Sequence, residues 1–132
     1  MMAFDTLDNL EGYTSLSSHL TSLIDVLDRS LPYDQKVGRY VYPDDEGVEY
    51  EVSAFLTGSG FSKALEMDKT YVEITLEGES VSSVGENVFR LLEGRFLLLK
   101  GEGEIKRGIS PDLPKSVKSV LFTLDDEKGK RS

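Results

Sequence analysis

At Pro32 the spacing of hydrophobic residues in this chain changes. Before it, Leu16, Leu20, Leu23, Ile24, Leu27 and Leu31 recur three or four residues apart, which places them on one face of an amphipathic α-helix over Thr14–Leu31. After it the period is two, as in strands with one face turned toward a core. Proline lacks the amide proton that a helix needs and its ring collides with the preceding turn, so the helix must end there. Thr14 or Ser15 can accept a hydrogen bond from the free amides of the first turn and mark the other end. A shorter helical turn is expected upstream in "DTLDNLEGY", with Asp5 or Thr6 as its cap.

Beyond Pro32 the alternating segments follow one another closely. "VGRYVY" and "VEYEVSAFL", joined by the turn "PDDEG", read as a hairpin, with Val48, Tyr50, Val52 and Ala54 opposite Glu49, Glu51, Ser53 and Phe55. "TGSGFSKALE" has two glycines and no period, and is expected to be a loop or a short helical turn. The next strand sets Thr70, Val72, Ile74 and Leu76 on an apolar face and Tyr71, Glu73, Thr75 and Glu77 on a polar one. "EGES" turns the chain, "VSSV" and "ENVFRLLEG" supply further short strands, and Phe96–Leu99 is the most apolar run and should be central. "SVKSVLFTL" is the last strand, bounded upstream by the prolines of "SPDLPK". Six or more short strands after an N-terminal helix indicate a mostly β sandwich or barrel with helices at one end. One domain over residues 1–124 is expected, followed by a frayed tail over 125–132, "DDEKGKRS", which has no apolar residue.

Composition removes several classes of function. The net charge of -9 repels a polyphosphate backbone, and the 15 basic residues are scattered, so no nucleic-acid partner is expected. No apolar run approaches the roughly 20 residues of a membrane span. The first residues lack the basic end and apolar stretch of a secretory signal, and a cytoplasmic protein is expected. With no cysteine there is neither a thiolate nucleophile nor a thiolate metal site. The single histidine, His19, lies off the apolar stripe of the helix and reads as a surface residue. Acid and base roles therefore fall to Asp, Glu, Lys or Tyr.

The short motifs each have an ordinary reading beside a functional one. "GSGFSK", Gly58–Lys63, lacks the glycine spacing and the Lys-Ser/Thr ending of a phosphate loop. "GEGE", Gly101–Glu104, offers oxygen ligands to a hard cation such as calcium but does not fit an EF-hand loop, and reads as a solvated turn. "DDE", Asp44–Glu46, is a charged hairpin turn. Glu66, Glu73 and Glu104 form a cation site only if the barrel gathers them, in which case their repulsion raises one pKa or demands a cation. Tyr71 and Glu73 project from the same strand face, a hydroxyl and a carboxylate suited to a sugar hydroxyl. Glu77, at the end of that face, is expected to meet solvent.

The order of elements and several strings resemble the YhcH/YjgK/YiaL family, whose members include the small subunit of evolved β-galactosidase and TabA. The resemblance rests on "FDTLDNLEGYTSLSSHLTSLIDVL", on Leu31, Pro32, Gly38 and Arg39, on "EGRFLLLKGEGEIKRG" and on "GISPDLPKSVKSVLFTL", and spans roughly residues 4–124. It implies a cupin-like double-stranded β-helix, a jelly-roll barrel with N-terminal helices, and a role in sugar metabolism. The segment Ser80–Glu93 is shorter than the family's corresponding middle. The family's metal-binding Glu and His fall at Ala64 and Glu66, its late His at Ile105 or, one residue away, Glu104, and its strand Asp and Gln at Tyr71 and Glu73. The resemblance therefore implies a site without its imidazoles, and no metal or other cofactor is expected.

Two functions follow from this resemblance. One is an accessory, non-catalytic sugar-related protein with a degenerate metal site, attached to a larger enzyme subunit or to a second copy of itself. The other is a sugar anomerase or isomerase, in which Glu66 or Glu73 is the base and Tyr71 or Lys106 the acid, with a small sugar as ligand. The residues expected around the cavity are Glu66, Tyr71, Glu73, Glu104 and Lys106.

Overall fold

The computed structural model describes residues 2–30, 38–43, 48–55, 60–66, 68–101, 103–109 and 117–124. These contain one 3-10 turn, Leu7–Gly12, one helix, α1 (Ser17–Ser30), and ten strands. The strands are β1 (Met2–Thr6), β2 (Gly38–Pro43), β3 (Val48–Phe55), β4 (Gly60–Leu65), β5 (Thr70–Glu77), β6 (Glu79–Val84), β7 (Asn87–Leu92), β8 (Arg95–Lys100), β9 (Gly103–Ile109) and β10 (Val117–Leu124). All pairings are antiparallel. One sheet has the order β1-β8-β5-β10-β3-β2, and the other β4-β9-β6-β7. Two such facing sheets, with sequence-distant strands as neighbours, make a mostly β jelly-roll barrel.

Within the six-stranded sheet, β5, β8 and β10 are buried on both faces. Val72, Ile74, Phe96, Leu98, Val120, Phe122 and Leu124 form its outer core with Leu10 of the 3-10 turn and Leu20 of α1. Leu16, Leu23 and Ile24 also pack there, so the amphipathic stripe read from the sequence lies against the sheet face and not at an end of the barrel. Thr14 Oγ1 accepts the Leu16 amide at 3.1 Å ahead of α1. His19 is half-buried on that helix. The opposite face of the sheet meets the four-stranded sheet: Tyr71, Leu97, Leu99 and Leu121 pack with Leu65, Leu91 and Ile105.

Three segments depart from the sequence reading. Gly60–Leu65, read as a loop or helical turn, is strand β4, held in register against β9 from Gly60↔Gly108 to Leu65↔Gly103. Gly103 and Glu104, read as a turn, begin β9, and Met2–Thr6 forms a strand against β8. On β5, the face that carries Tyr71, Glu73 and Thr75 is buried, as is its apolar face. The turn at Asp44–Glu46 and the tail after Leu124 lie outside the described residues, as do Gly58 and Ser59 of "GSGFSK".

The chain passes from one sheet to the other at Gly78, the single residue between β5 and β6. Its φ of 84° is a left-handed conformation that glycine adopts without a Cβ clash, and its amide donates to Glu93 Oε1 at 3.1 Å. No helix among the described residues is long and apolar enough to cross a membrane.

Candidate functional site

Because side chains alternate along a strand, β5 sends Tyr71, Glu73 and Thr75 into the space between the sheets while Val72 and Ile74 join the outer core. In register, Glu73 lies between Leu97 of β8 and Leu121 of β10. It is 1% exposed. Across the barrel, Ser82 of β6 donates to Glu73 Oε1 at 2.5 Å. One level along, the hydroxyls of Thr75 and Ser80 are 2.9 Å apart, and Thr75 Oγ1 donates to the Leu91 carbonyl at 3.0 Å. Ser119 of β10, fully buried, stands opposite Thr75 in register. A strip of one carboxylate and four hydroxyl groups thus runs beside the mainly apolar side chains of the inner cluster, Tyr71 among them.

Tyr71 has a structural task. Its hydroxyl accepts the Glu66 amide at 2.8 Å, fastening the β4–β5 connection. Gly101 completes that junction. Its amide donates to the Lys69 carbonyl at 2.8 Å, and a Cβ there would collide with the Glu66 carbonyl oxygen and come within 2.9 Å of the Tyr71 ring.

The five expected residues fall into three places. Tyr71 and Glu73 share the interior. Glu66 is on the surface, its side chain 72% exposed and paired with Lys69 at 3.1 Å. Glu104 and Lys106 are exposed on β9 and line a separate groove of about 440 Å³ with Ser83, Val84, Gly85 and Gly103. Glu77 is partly buried and lies 3.7 Å from Lys118. Glu79, read as part of a turn, is buried on β6 and accepts a hydrogen bond from Arg90.

The sequence reading missed Ser82 as the hydrogen-bond partner of the carboxylate and Ser80 as the partner of Thr75 one level along. The available signal is the alternation in "ESVSSV", where Ser80 and Ser82 share a face with Val84, a residue that packs on the inner core.

The donor set does not suit the metal centre that the family resemblance implies. Of the positions assigned to its ligands, Ala64, Glu66 and Glu104 are exposed and Ile105 is buried in the inner apolar cluster. Among the described residues no three His, Asp or Glu side chains are grouped to hold an ion.

A barrel of two facing antiparallel sheets, capped on one face by an N-terminal helix, is a cupin-like fold, and solved structures agree with this. A cupin protein from Bacteroides fragilis superposes with a TM-score of 0.57 at 14% identity, covering 73% of this chain and 83% of that one. The Cupin_2 domain of an XRE family transcriptional regulator from Enterobacter cloacae matches with a TM-score of 0.57 at 9% identity, over 69% of this chain and 98% of that one. A cupin-2 domain containing protein from Shewanella frigidimarina gives 0.51 at 10% identity, over 89% and 99%. At such identities the likeness is one of fold. No family model matches the chain, and no curated protein does.

Proposed function

We propose that this protein is a non-catalytic, accessory cupin-like protein of the sugar-related YhcH/YjgK/YiaL type, which binds a small hydroxyl-rich ligand in its barrel. The observation that carries the reading is Glu73, an ionisable side chain 1% exposed inside the barrel and hydrogen-bonded by Ser82. Burying a carboxylate is unfavourable unless it is well partnered, and a carboxylate set among hydroxyl groups offers the acceptors and donors that a polyhydroxy ligand requires.

Binding is favoured over catalysis by the positions of the candidate acids and bases. Mutarotation needs an acid and a base across the anomeric centre. Tyr71 and Glu73 project the same way from one strand, and the Tyr71 hydroxyl already accepts the Glu66 amide. Glu66 and Lys106 are exposed outside the interior. The alternative reading, a sugar anomerase or isomerase, requires these groups to move together.

Thermal melting with a panel of small sugars tests the proposal, since a ligand bound only to the native state raises the melting temperature. A sugar should stabilise the wild type and leave Glu73→Gln unshifted. An equal shift in both proteins, or no shift with any sugar, would remove Glu73 from the account. Accelerated mutarotation of the stabilising sugar by the wild type would favour the alternative.

A further inference from the structure

Every polar side chain of the strip inside the barrel, Glu73, Thr75, Ser80, Ser82 and Ser119, is buried. A small molecule reaches them only if part of the wall moves. Strand β1 is a lightly held part of that wall. Unlike β5, β6, β7 and β8 it contains no buried residue, and Met2 and Phe4 are exposed on it. Segments with few buried contacts open at the lowest cost in free energy. The chain is fixed again immediately afterwards: Leu7 donates its amide to the Gly94 carbonyl at 2.9 Å, and Leu10 is buried in the outer core.

What β1 covers is the polar strip. Phe4 pairs with Leu97, and Leu97 with Glu73, in register, so Glu73 lies two strands inward along the same row, about 10 Å away. On the facing sheet the Phe4 ring meets Phe89 at 5.3 Å between centroids. Phe89 packs against the inner cluster, and two residues further along β7 the Leu91 carbonyl accepts the Thr75 hydroxyl. The contact of Phe4 with Phe89 therefore joins the edges of the two sheets directly outside the strip. Around Tyr71 the wall is fastened instead, by the hydrogen bond from the Glu66 amide and the close packing of Gly101.

We propose that β1 is a strap and Phe4 its latch. The strand swings away from β8 about Leu7, the sheets part between β8 and β7, and the polar strip becomes reachable from that side. That a sugar is what enters rests on the reading given above, whereas the strap itself does not.

The chain has no cysteine, so one introduced thiol reports the opening without background. Ser82→Cys is alkylated with iodoacetamide under native conditions and followed by mass spectrometry, each rate being taken relative to that of the same variant unfolded. Val120→Cys, equally buried but in the outer core, gives the rate of reaction through global unfolding. Ser82→Cys should react faster than Val120→Cys, and less steeply with urea, because a local opening exposes less surface. Adding Phe4→Ala should speed the Ser82→Cys reaction a further fivefold or so, about the factor that loss of one aromatic pair implies. A Ser82→Cys reaction as slow and as steep in urea as that of Val120→Cys would overturn the proposal. So would a fast reaction that Phe4→Ala leaves unchanged, since the opening would then lie elsewhere. Should circular dichroism show that Ser82→Cys does not fold, Ser80→Cys takes its place with the same expected and contrary results. Melting with sugars is a separate readout, so a silent panel beside a thiol that Phe4 gates would remove the ligand and keep the strap.

Discussion

Strands β5, β8 and β10 are buried on both faces, yet the two faces differ in chemistry. Toward α1 they present Val72, Ile74, Phe96, Leu98, Val120 and Phe122, with the hydroxyl of buried Thr70 at the start of β5 but no carboxylate. Toward the four-stranded sheet they present Tyr71, Leu97, Leu99 and Leu121 together with Glu73, Thr75 and Ser119. Burial is as complete on the second face as on the first, so exposure to water does not account for its polar groups. The outer face follows the rule that packing alone would write. The inner face departs from it, and departures of this kind are expected where a protein meets its ligand.

The largest effect that would test this contrast is on the outer face. Phe122→Ala removes a fully buried ring from the centre of the outer core and is expected to lower stability by about 3–5 kcal/mol, measured by urea unfolding. A loss below about 1 kcal/mol would show that α1 and the sheet are not packed as tightly as in a core. A smaller effect is expected at the barrel's end. Tyr71→Phe keeps the ring and removes the acceptor of the Glu66 amide, lowering stability by about 1 kcal/mol, while a sugar should still stabilise the variant. Loss of the sugar response in Tyr71→Phe would make that hydroxyl a binding group and not a fastener.

A subtler effect belongs to Asp5, on β1. The Asn9 side chain and the Thr6 amide, at 3.1 Å and 2.7 Å, donate to its carboxylate and hold its pKa below the ordinary aspartate value, against an opposing effect of desolvation and with a lesser contribution from the charge of Arg95. A lowered folded-state pKa contributes stability above the unfolded pKa, and this is lost as pH falls through the folded value, here below about pH 4. Asp5→Asn should therefore flatten the acid end of the stability profile and leave its shape near neutrality unchanged. Urea midpoints across that range measure it.

Much of this architecture is legible in the sequence, for identifiable reasons. The stripe of Leu16, Leu20, Leu23 and Ile24 and the alternation from Thr70 to Leu76 are local patterns that packing selects, and both appear where they were expected. Strands β4 and β9 are different. "GFSKAL" and "GEIKRGI" carry too little alternation to declare themselves, and they are extended because each pairs with the other across about forty residues of chain. Alternation also shows that the faces of β5 differ, but not that a second sheet covers the polar one. The same limit governs the site. Spacing places Tyr71 and Glu73 together, whereas the separation of Glu66, Glu104 and Lys106 from them depends on which side of β4 and β9 faces the barrel. Ser82 becomes visible as a partner only once β6 is known to lie across from β5.

The central claim is that the inner face keeps its carboxylate for a ligand and not for stability. The double variant Glu73→Met/Ser82→Ala tests it directly, because it removes a hydrogen-bonded pair from both ends and fills the space with apolar atoms, a change that is often neutral or stabilising for a buried polar pair. Melted beside the wild type, with and without the sugar that stabilises the wild type, the double variant should be at least as stable without ligand and should show no shift with it. A loss of more than about 2 kcal/mol without ligand, or a sugar shift equal to that of the wild type, would contradict the claim.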